Sequence, residues 1–239
     1  MRITLISDTH TKHDELSYDP KDLPGGDLLI HAGDIMNSGY SAYEIEDFCK
    51  WFEAQDYDHL VFIAGNHDRL FENQPEKAME IVNSYKLIDY LQDDWIVVGD
   101  ADPHDPNVKT AKIYGSPWQP EFYNWAFNLP RAGTKLQEKW NQIPEDTDIL
   151  ITHGPAQGFL DASGPPYNEP NLGCELLIEK IKEIKPKIHV CGHIHGGYGY
   201  RFDGDTHFFN ASILNEQYAY VNKPVTFDWN PETNEIQFI

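Results

Sequence analysis

The chain of 239 residues contains few cysteines and no long apolar run. Its three cysteines form no closely spaced pair, which argues against a disulfide framework and predicts reduced thiols in a cytoplasmic protein. We expect Cys191 to be an inert core thiol rather than a metal ligand or a nucleophile. No apolar stretch approaches the roughly 20 residues of a membrane span, and no signal peptide is visible, so we expect no membrane partner.

Positive charge is also scarce. Only 18 Lys and Arg face 39 Asp and Glu, which gives a formal net charge of −21 at pH 7. Such a chain is a poor partner for duplex nucleic acid, which needs a basic surface. A small anionic substrate remains compatible with this charge, because bound metal cations can be the largest local charges in a site.

Apolar runs alternate with polar loops along much of the chain. Buried strands are predicted at residues 2–7, 28–32, 60–64, 149–152 and 188–191. Two further strands are predicted at 95–98 and 111–115, separated by the acidic segment Asp100–Asp105. The polar residues 11–27 predict an irregular connection. From about residue 200 onward, strand patterns follow one another without a helix signal.

Four segments are predicted to be helices, and the first and the last of them have the apolar spacing of an amphipathic helix. Ser41 and Glu44 have the spacing of a capping box, with Ser41 as the N-cap and Glu44 reaching back, before a helix that ends near Gln55. Further helices are predicted at 75–86, at 134–142 and along Cys174–Ile181, the last stopped by Pro186. This order of elements predicts an α/β fold in which two sheets pack face to face with helices outside, as a single domain over residues 1–239.

Five of the predicted strands end in side chains that can bind metals. In chain order, these ends carry Asp8 with His10, Asp34, Asn66 with His67 and Asp68, His153, and His193 with His195. Each end is a weak signal by itself. In open α/β sheets, ligand sites lie at the carboxyl ends of the strands. Because all five ends occur in one chain, we predict that they converge on two metal ions.

The ligand types divide into two sets that share one carboxylate. The first set is Asp8, His10, Asp34 and His195, and the second is Asp34, Asn66, His153 and His193. One carboxylate can bridge two ions about 3.5–4 Å apart, so Asp34 is assigned to both sets. Carboxylate, amide and imidazole ligands without thiolate suit Mn²⁺, Fe or Zn²⁺. We therefore predict two divalent metal ions as cofactors.

Two such ions are suited to the hydrolysis of phosphoesters. A water that bridges them becomes a hydroxide-like nucleophile near neutral pH, and the ions stabilise the charge of the phosphoryl group. The leaving oxygen needs a proton, and we predict that His67 donates it. For Asp68 two roles are open: it orients the imidazole of His67 for catalysis, or it is a turn residue that caps the following segment.

The motifs at these strand ends resemble those of the calcineurin-like metallophosphoesterase superfamily. They are Asp8-Thr-His10, Gly33-Asp34, Gly65-Asn66-His67-Asp68, His153 and Gly192-His193-Ile-His195. The resemblance implies a four-layer α-β-β-α sandwich of two mixed sheets flanked by helices. It also implies two bound metals and the hydrolysis of phosphomonoesters or phosphodiesters.

Further motifs resemble the metallophosphoesterase-domain-containing (MPPED-like, brain 239-type) subgroup of that superfamily. They are Gly115-Ser-Pro-Trp118, Trp125-Ala-Phe-Asn-Leu-Pro-Arg131, Thr152-His-Gly-Pro155 and Gly197-Tyr-Gly199. Some members of the subgroup lack a ligand histidine in the last histidine motif and are poor catalysts. This chain has both His193 and His195, which favours an active enzyme. One departure is Pro155-Ala-Gln-Gly158, where relatives often carry a second proline, and it concerns only the shape of that loop.

The substrate predicted from these features is a small phosphoester or nucleotide, such as a cyclic nucleotide. Two alternatives stay open. A nucleotide-binding or scaffolding protein would keep the site with little catalysis. A phosphoprotein phosphatase is disfavoured, because the chain has no distinct protein-recognition segment and its acidic surface would repel phosphopeptides.

The segment 116–131 is rich in aromatic residues and proline. It predicts either a hydrophobic cluster beneath a long loop or a wall of the cleft on which a nucleobase or aryl group stacks. Arg131 is expected to serve surface structure, with a phosphate or base contact as the alternative. His31 and His189 lie inside apolar strands, and we expect both to be buried structural histidines.

Overall fold

The computed structural model describes residues 1–17, 22–99 and 110–239. The acidic segment Asp100–Asp105 and residues 18–21 of the predicted irregular connection lie outside the described residues. Within that connection, His13–Ser17 form a short 3-10 helix. A second 3-10 helix, His195–Gly197, lies in the last of the histidine motifs.

Helices separate several of the strands in the first three quarters of the chain, and after the last α-helix only strands and the second 3-10 helix follow among the described residues. In chain order the strands are β1 (Arg2–Ile6), β2 (Gly26–His31), β3 (Tyr57–Phe62), β4 (Ile88–Tyr90), β5 (Asp94–Val98), β6 (Ala111–Ser116), β7 (Gln119–Pro120), β8 (Asn128–Leu129), β9 (Ile149–Thr152), β10 (Ile188–Cys191), β11 (Gly199–Phe202), β12 (His207–Asn210), β13 (Val225–Asn230) and β14 (Glu235–Phe238). The helices are α1 (Ala42–Glu53), α2 (Arg69–Asn73), α3 (Pro75–Val82), α4 (Lys135–Trp140) and α5 (Glu175–Ile184). Across the three described ranges, no helix combines the length and the apolar character that crossing a bilayer would need.

Most of the strands form two six-stranded sheets of mixed direction. The first sheet has the order β14-β13-β1-β2-β3-β4, in which β1 to β4 are parallel and β13 and β14 are antiparallel additions. The second has the order β11-β12-β10-β9-β6-β5, parallel from β12 to β6 and antiparallel at both edges. The short strands β7 and β8 form a separate parallel ladder.

Three apolar clusters hold four layers together. The central cluster lies between the sheets and includes Leu5, Ile30, Ile151, Val190 and Phe209. Successive side chains of a strand face opposite sides, so Leu29 of β2 joins the outer cluster under α1 and α3, with Phe48, Phe62 and Ala78. On the far side, Leu150 of β9 packs with residues of α4 and α5, among them Trp140 and Leu177. This α-β-β-α order confirms the predicted fold class.

The carboxyl ends of the central strands lie at one edge of each sheet, and the two edges meet. Parallel register aligns the ends of β1, β2 and β3, because Ile6 pairs with His31 and His31 pairs with Phe62. In the second sheet, β9 and β10 run side by side in the same direction. A bridge between Ser7 and Ser212 joins the loops that follow β1 and β12. The loops that carry the predicted site residues therefore converge, as expected for parallel strands.

The predicted N-cap Ser41 is confirmed, but its capping contacts and the predicted end of the second helix differ from the structure. Helix α1 begins directly after Ser41, but within the described part of the chain the Ser41 side chain makes no capping hydrogen bond. Glu44 instead accepts a hydrogen bond from the backbone N–H of Asn37 at 3.0 Å, so the capping-box contacts were wrongly predicted. Helix α3 ends at Val82 rather than at residue 86. The hydroxyl of Ser84 donates to the carbonyl of Ile81 at 2.6 Å, which favours a turn over continued helix.

Replacing Phe48 by alanine should lower the free energy of unfolding by about 4 kcal/mol, because it removes a large side chain from a close-packed cluster. Phe48 is fully buried and contacts the rings of His31, Phe52 and Phe62. Tyr43 lies on the same helix and is 68% exposed, so Tyr43→Ala is the matched control. It should change the stability by no more than about 0.5 kcal/mol. Urea denaturation measures both values, and equal losses would contradict the described core.

Candidate metal centre

Asp8 and Asp34 form the centre of the site, just after β1 and β2. Both residues have left-handed backbone conformations, with φ of 56° and 60°, which turn the chain sharply at each strand end. The N–H of Asp8 donates to the carbonyl of Gly33 at 2.9 Å, and the N–H of His10 donates to the carbonyl of Asp34 at 3.0 Å. These bonds hold the two loops side by side, so that both buried carboxylates reach the same place.

Asp68 fastens the Asp34 loop to the turn that follows β3. Its carboxylate accepts hydrogen bonds from the backbone N–H groups of Asp34 (2.9 Å), Met36 (2.8 Å) and Gly65 (2.7 Å). The predicted contact with the imidazole of His67 is therefore wrong, because backbone donors occupy this carboxylate. The alternative prediction is confirmed in position, because Asp68 is the N-cap residue of α2 and its backbone carbonyl accepts from the N–H of Phe71 at 3.1 Å. Its side chain makes no capping hydrogen bond within the described residues.

The first predicted ligand set contains a compact group of Asp8, His10 and His195, whose candidate ligand atoms lie within 4.8 Å of one another. Nε2 of His195 lies 3.5 Å from Oδ1 of Asp8, and Nε2 of His10 lies 3.6 Å from Oδ2 of Asp34. Backbone carbonyls accept from the other nitrogens, since Nδ1 of His10 faces Met36 at 3.2 Å and Nδ1 of His195 faces Asn215 at 2.9 Å. Carbonyl contacts of this kind hold metal-binding histidines with Nε2 unprotonated and directed inward.

The second predicted ligand set meets around His153. Its Nδ1 faces the carbonyl of Ala32 at 2.9 Å, while its Nε2 lies 3.0 Å from Oδ1 of Asn66 and 3.3 Å from Oδ2 of Asp34. The backbone N–H of His193 donates to both oxygens of Asp8, at 3.0 and 3.1 Å. The ring centre of His193 lies 5.1 Å from that of His153. Both sets therefore share Asp34 as their common neighbour.

The donor set fits divalent cations. Nε2 of His10 is buried and has no hydrogen-bond partner among the described residues, which leaves a lone pair beside two carboxylates. Besides the group around His195, two more groups of side chains bring their candidate ligand atoms within 4.8 Å, and they are Asp8 with Asp34 and His153, and His10 with Asp34 and His67. The last group adds His67, which the sequence assigned to proton transfer, to the potential ligands.

The charges of neighbouring imidazoles keep the two buried carboxylates ionised. Burial raises the pKa of Asp8, but the hydrogen bond and the charge of His195 outweigh burial and hold the pKa below its usual value. Burial also raises the pKa of Asp34, and the charges of His153 and His67 bring it well below its usual value. The two carboxylates are therefore anionic acceptors at neutral pH, and each is balanced by a neighbouring imidazole.

The four imidazoles of the two sets divide into two protonation classes. Burial lowers the pKa of His10 to about 4 and that of His193 to about 3. Burial also lowers the pKa of His153 and His195, but the facing carboxylates Asp34 and Asp8 outweigh it and raise both values to about 9. At pH 7 without metal, His10 and His193 are therefore neutral, while His153 and His195 carry protons.

Two glycines create the space in which these side chains meet. A Cβ added at Gly65 would collide with Oδ1 of Asp34 and with the ring of His153. A Cβ added at Gly192 would collide with the Asp8 carboxylate and with the hydroxyl of Ser7. Any larger residue at either position would displace a predicted ligand.

His67 lies at the mouth of the site with its ring held on several sides. Its Nδ1 faces the carbonyl of Asn37 at 2.5 Å, and its backbone N–H donates to Oδ1 of Asp34 at 2.7 Å. The ring makes an edge contact with His10, with centroids 4.5 Å apart. The carboxylate of Glu44 in α1 accepts a hydrogen bond from the N–H of Asn37. Helix α1 therefore positions Asn37, whose carbonyl contacts Nδ1 of His67.

Three residues of the site have no role predicted from the sequence. Ser212, after β12, donates its hydroxyl to Oδ2 of Asp8 at 2.7 Å. The amide of Asn210 donates to the carbonyl of Ile194 at 2.8 Å and supports the turn between the two histidines of the last motif. Tyr218 has its ring 4.8 Å from that of His10. The end of β12 is a sixth strand end at the same edge, and this position is the sequence signal that could have identified Ser212.

The aromatic segment 116–131 divides into a part that packs in a hydrophobic cluster, as one of the two predictions has it, and a part that lies beside the site. Trp118 and Phe127 pack together with ring centres 5.4 Å apart, and Phe127 belongs to an apolar cluster. Phe122 and Trp125 face the site instead, with ring centres 5.4 Å from His193 and 4.0 Å from His67. Arg131 donates to the carbonyls of Leu172 and Gly173 and pairs with Glu175, so it serves structure as expected.

The two strand histidines also match their predicted structural role. His31 accepts from the N–H of Gly33 at 3.2 Å, and its Nε2 lies 3.0 Å from the hydroxyl of Thr9. Nε2 of His189 lies 2.8 Å from the hydroxyl of Thr152. Burial lowers the pKa of both rings to about 3, so both are neutral. Cys191 is a buried free thiol whose pKa is raised by burial, as expected of an inert core residue.

The calcineurin-like phosphoesterase family matches residues 1–197, and the chain belongs to this family of phosphoester hydrolases. It is 40% identical to human Metallophosphoesterase domain-containing protein 1 over 241 residues, which cover 95% of this chain and 70% of that protein. A UPF0046 protein of Caenorhabditis elegans is 36% identical over 245 residues, covering 95% of this chain and 60% of that protein.

Solved structures show the same fold at low sequence identity. TT1561 of Thermus thermophilus superposes with a TM-score of 0.60 at 12% identity and covers 99% of this chain and 97% of that chain. GAP50, described as the anchor in the inner membrane complex of Plasmodium, superposes with a TM-score of 0.54 at 10% identity, over 99% of this chain and 86% of that one. At these identities the likeness concerns the fold alone.

Binding of a divalent cation to the metal-free protein at pH 7 should release protons. His153 and His195 are protonated there because their pKa values are about 9, and metal ligation requires neutral imidazoles. Affinity should therefore rise as the pH increases from 7 towards 9. Calorimetric titration with Mn²⁺ in buffers of different ionisation enthalpy measures the release, and an apparent enthalpy independent of the buffer would contradict it.

Proposed function

We propose that the chain is a dinuclear metal-dependent phosphohydrolase that acts as a phosphodiesterase or nucleotidase on small phosphoesters such as cyclic nucleotides. One observation carries the proposal: two buried carboxylates, Asp8 and Asp34, lie among several imidazoles at the carboxyl edge of two sheets. Membership of the phosphoesterase family supports phosphoester hydrolysis in general. The finer substrate class rests on the residues that surround the carboxylates.

Two ligand sets would hold the cations, with Asp34 between them. Asp8, His10 and His195 complete one set, and Asn66, His153 and His193 complete the other. These oxygen and nitrogen donors suit Mn²⁺, Fe or Zn²⁺. When bound, two such ions lower the pKa of water and stabilise the negative charge of a phosphoryl group.

His67 supplies the proton that the leaving oxygen needs. Its Nδ1–H donates to the carbonyl of Asn37, so a protonated ring carries its second proton at Nε2. In the proposed step the Nε2–H bond breaks, the proton passes to the leaving oxygen, and the imidazole becomes neutral. General acid catalysis of this kind contributes about 10²–10⁴-fold to a rate.

Aromatic side chains on either side of the site support a substrate with a flat ring. Tyr218 is 39% exposed, and its ring centre lies 4.8 Å from His10 and 5.4 Å from His195. Phe122 is 45% exposed, and its ring centre lies 5.4 Å from His193. A nucleobase or an aryl group can stack on such faces while its phosphate occupies the site between them.

We also propose that the protein works in a reducing compartment such as the cytoplasm. All three cysteines, Cys49, Cys174 and Cys191, are free and buried. Reduced thiols are the usual state in the cytoplasm.

Replacing His67 by alanine should slow the hydrolysis of cyclic nucleotides by about 10²-fold or more, because the leaving oxygen then departs without a donated proton. Activity on cyclic nucleotides and on bis-p-nitrophenyl phosphate is measured with added Mn²⁺, together with the metal content of each variant. Asp34→Asn should abolish activity and reduce metal content, since both predicted sets use Asp34.

His59→Ala is the matched control, because His59 lies seven residues before Asn66 near the other end of β3. It should keep the activity of the native chain. Unchanged activity of His67→Ala would refute its role as the proton donor, and loss of bound metal from that variant would instead make His67 a ligand. Tight nucleotide binding without turnover by the native, metal-loaded protein would favour a binding protein over an enzyme.

A further inference from the structure

Trp125 covers one face of the His67 ring. The two ring centres lie 4.0 Å apart, and the planes are inclined by 21°, which is a stacked contact. This imidazole also contacts the Asn37 carbonyl through Nδ1, the edge of His10 and, with ring centres 6.3 Å apart, the ring of Tyr218. The hydrogen bond at Nδ1 does not by itself stop the ring from rotating about that bond, and the indole blocks this rotation on the ring face that it covers.

A cation–π contact and hydrogen bonds hold Trp125 and its neighbours against the segment that carries His67. The guanidinium of Arg69 lies 4.6 Å from the centre of the indole, and Arg69 donates to the carbonyl of Asn124. On the other side, the N–H of Ala126 donates to the carbonyl of Asn66 at 3.0 Å. The neighbours of Trp125 are therefore bound to residues on both sides of His67.

Packing in the apolar clusters does not explain why a large aromatic side chain lies at position 125. Among the described residues, Trp125 belongs to none of the three apolar clusters, whereas its neighbour Phe127 is fully buried in one of them. Trp125 is only partly buried, and its indole contacts His67 and Arg69. The indole of Trp125 therefore packs against the imidazole of His67 rather than within an apolar cluster.

We propose that Trp125 is a positioning residue that keeps Nε2 of His67 directed at the leaving oxygen. This inference rests on the role of His67 as proton donor under the proposed function. Without the indole the imidazole swings, and a displacement of about 1 Å can cost about 10²-fold in rate. The loss falls on the protonation of the leaving group, so it depends on how much the leaving group needs a proton.

The test compares two phosphodiesters that differ in their leaving group. The p-nitrophenolate of bis-p-nitrophenyl phosphate departs without help, whereas the more basic phenolate of diphenyl phosphate needs a proton. Trp125→Ala should lower kcat for diphenyl phosphate by about 10-fold or more with little change in KM, and kcat for the nitrophenyl ester by less than about 3-fold. Trp125→Phe keeps a stacking ring and should restore most of the diphenyl phosphate rate.

Tyr123→Ala is the matched control, because Tyr123 lies on the same loop, is 79% exposed and contacts Phe122. It should leave both rates unchanged. If the alanine variant of Trp125 does not fold, Trp125→Leu keeps apolar bulk without a stacking ring and should show the same selective loss. Equal losses for both esters in the folded Trp125 variants would overturn the positioning role.

A double variant separates this inference from the proposed function. If Trp125 acts through His67, adding Trp125→Ala to His67→Ala should cause no further loss on diphenyl phosphate. A further loss of the same factor as in the native background would overturn the inference. If His67→Ala is selective for diphenyl phosphate while the Trp125 variants are not, only the positioning role fails. If His67→Ala affects neither ester, the proton-donor role fails and the inference with it.

Discussion

The rest of the site depends on the close burial of two carboxylates of the same charge. Asp8 and Asp34 are almost completely excluded from solvent, and the backbone bonds between their loops hold them together. Burying an uncompensated charge costs several kcal/mol, so the surroundings must supply positive charge and hydrogen-bond donors. In the metal-free chain His153 and His195 supply the charge, and both have raised pKa values for that reason. A divalent cation in each ligand set would replace these protons.

Together with the net charge of −21, the two buried carboxylates affect which substrates can bind. A phosphoester is an anion, and two buried carboxylates in an acidic chain would repel it. Divalent cations in the two proposed ligand sets would reverse the sign of the site locally, because they would be the largest charges there. The same ions would balance the buried carboxylates and attract an anionic substrate. Under the proposed function, binding of a phosphate ester would therefore depend on metal binding.

The layers of the fold and the predicted ligands could be predicted from the sequence, and one physical reason explains both. Buried parallel strands appear as apolar runs, and their carboxyl ends lie at one edge of a sheet, so the strand pattern alone predicts that Asp8, Asp34 and His153 lie close together. The contacts of Asp68 were wrongly predicted, because they depend on how the loop after β2 folds against the turn after β3. The contacts of Ser212 with Asp8 and of Trp125 with His67 were missed, since each joins loops that are distant in sequence. Local patterns carry no signal for such contacts.

In the proposed site, Asp34 would lie between two cations. Anomalous diffraction from crystals grown with Mn²⁺ measures the number and the positions of bound metal ions directly. We expect two peaks about 3.5–4 Å apart, both beside Asp34, one next to Asp8 and His195 and the other next to Asn66 and His153. A single peak, or two peaks of which only one lies beside Asp34, would rule out a carboxylate shared by two ions.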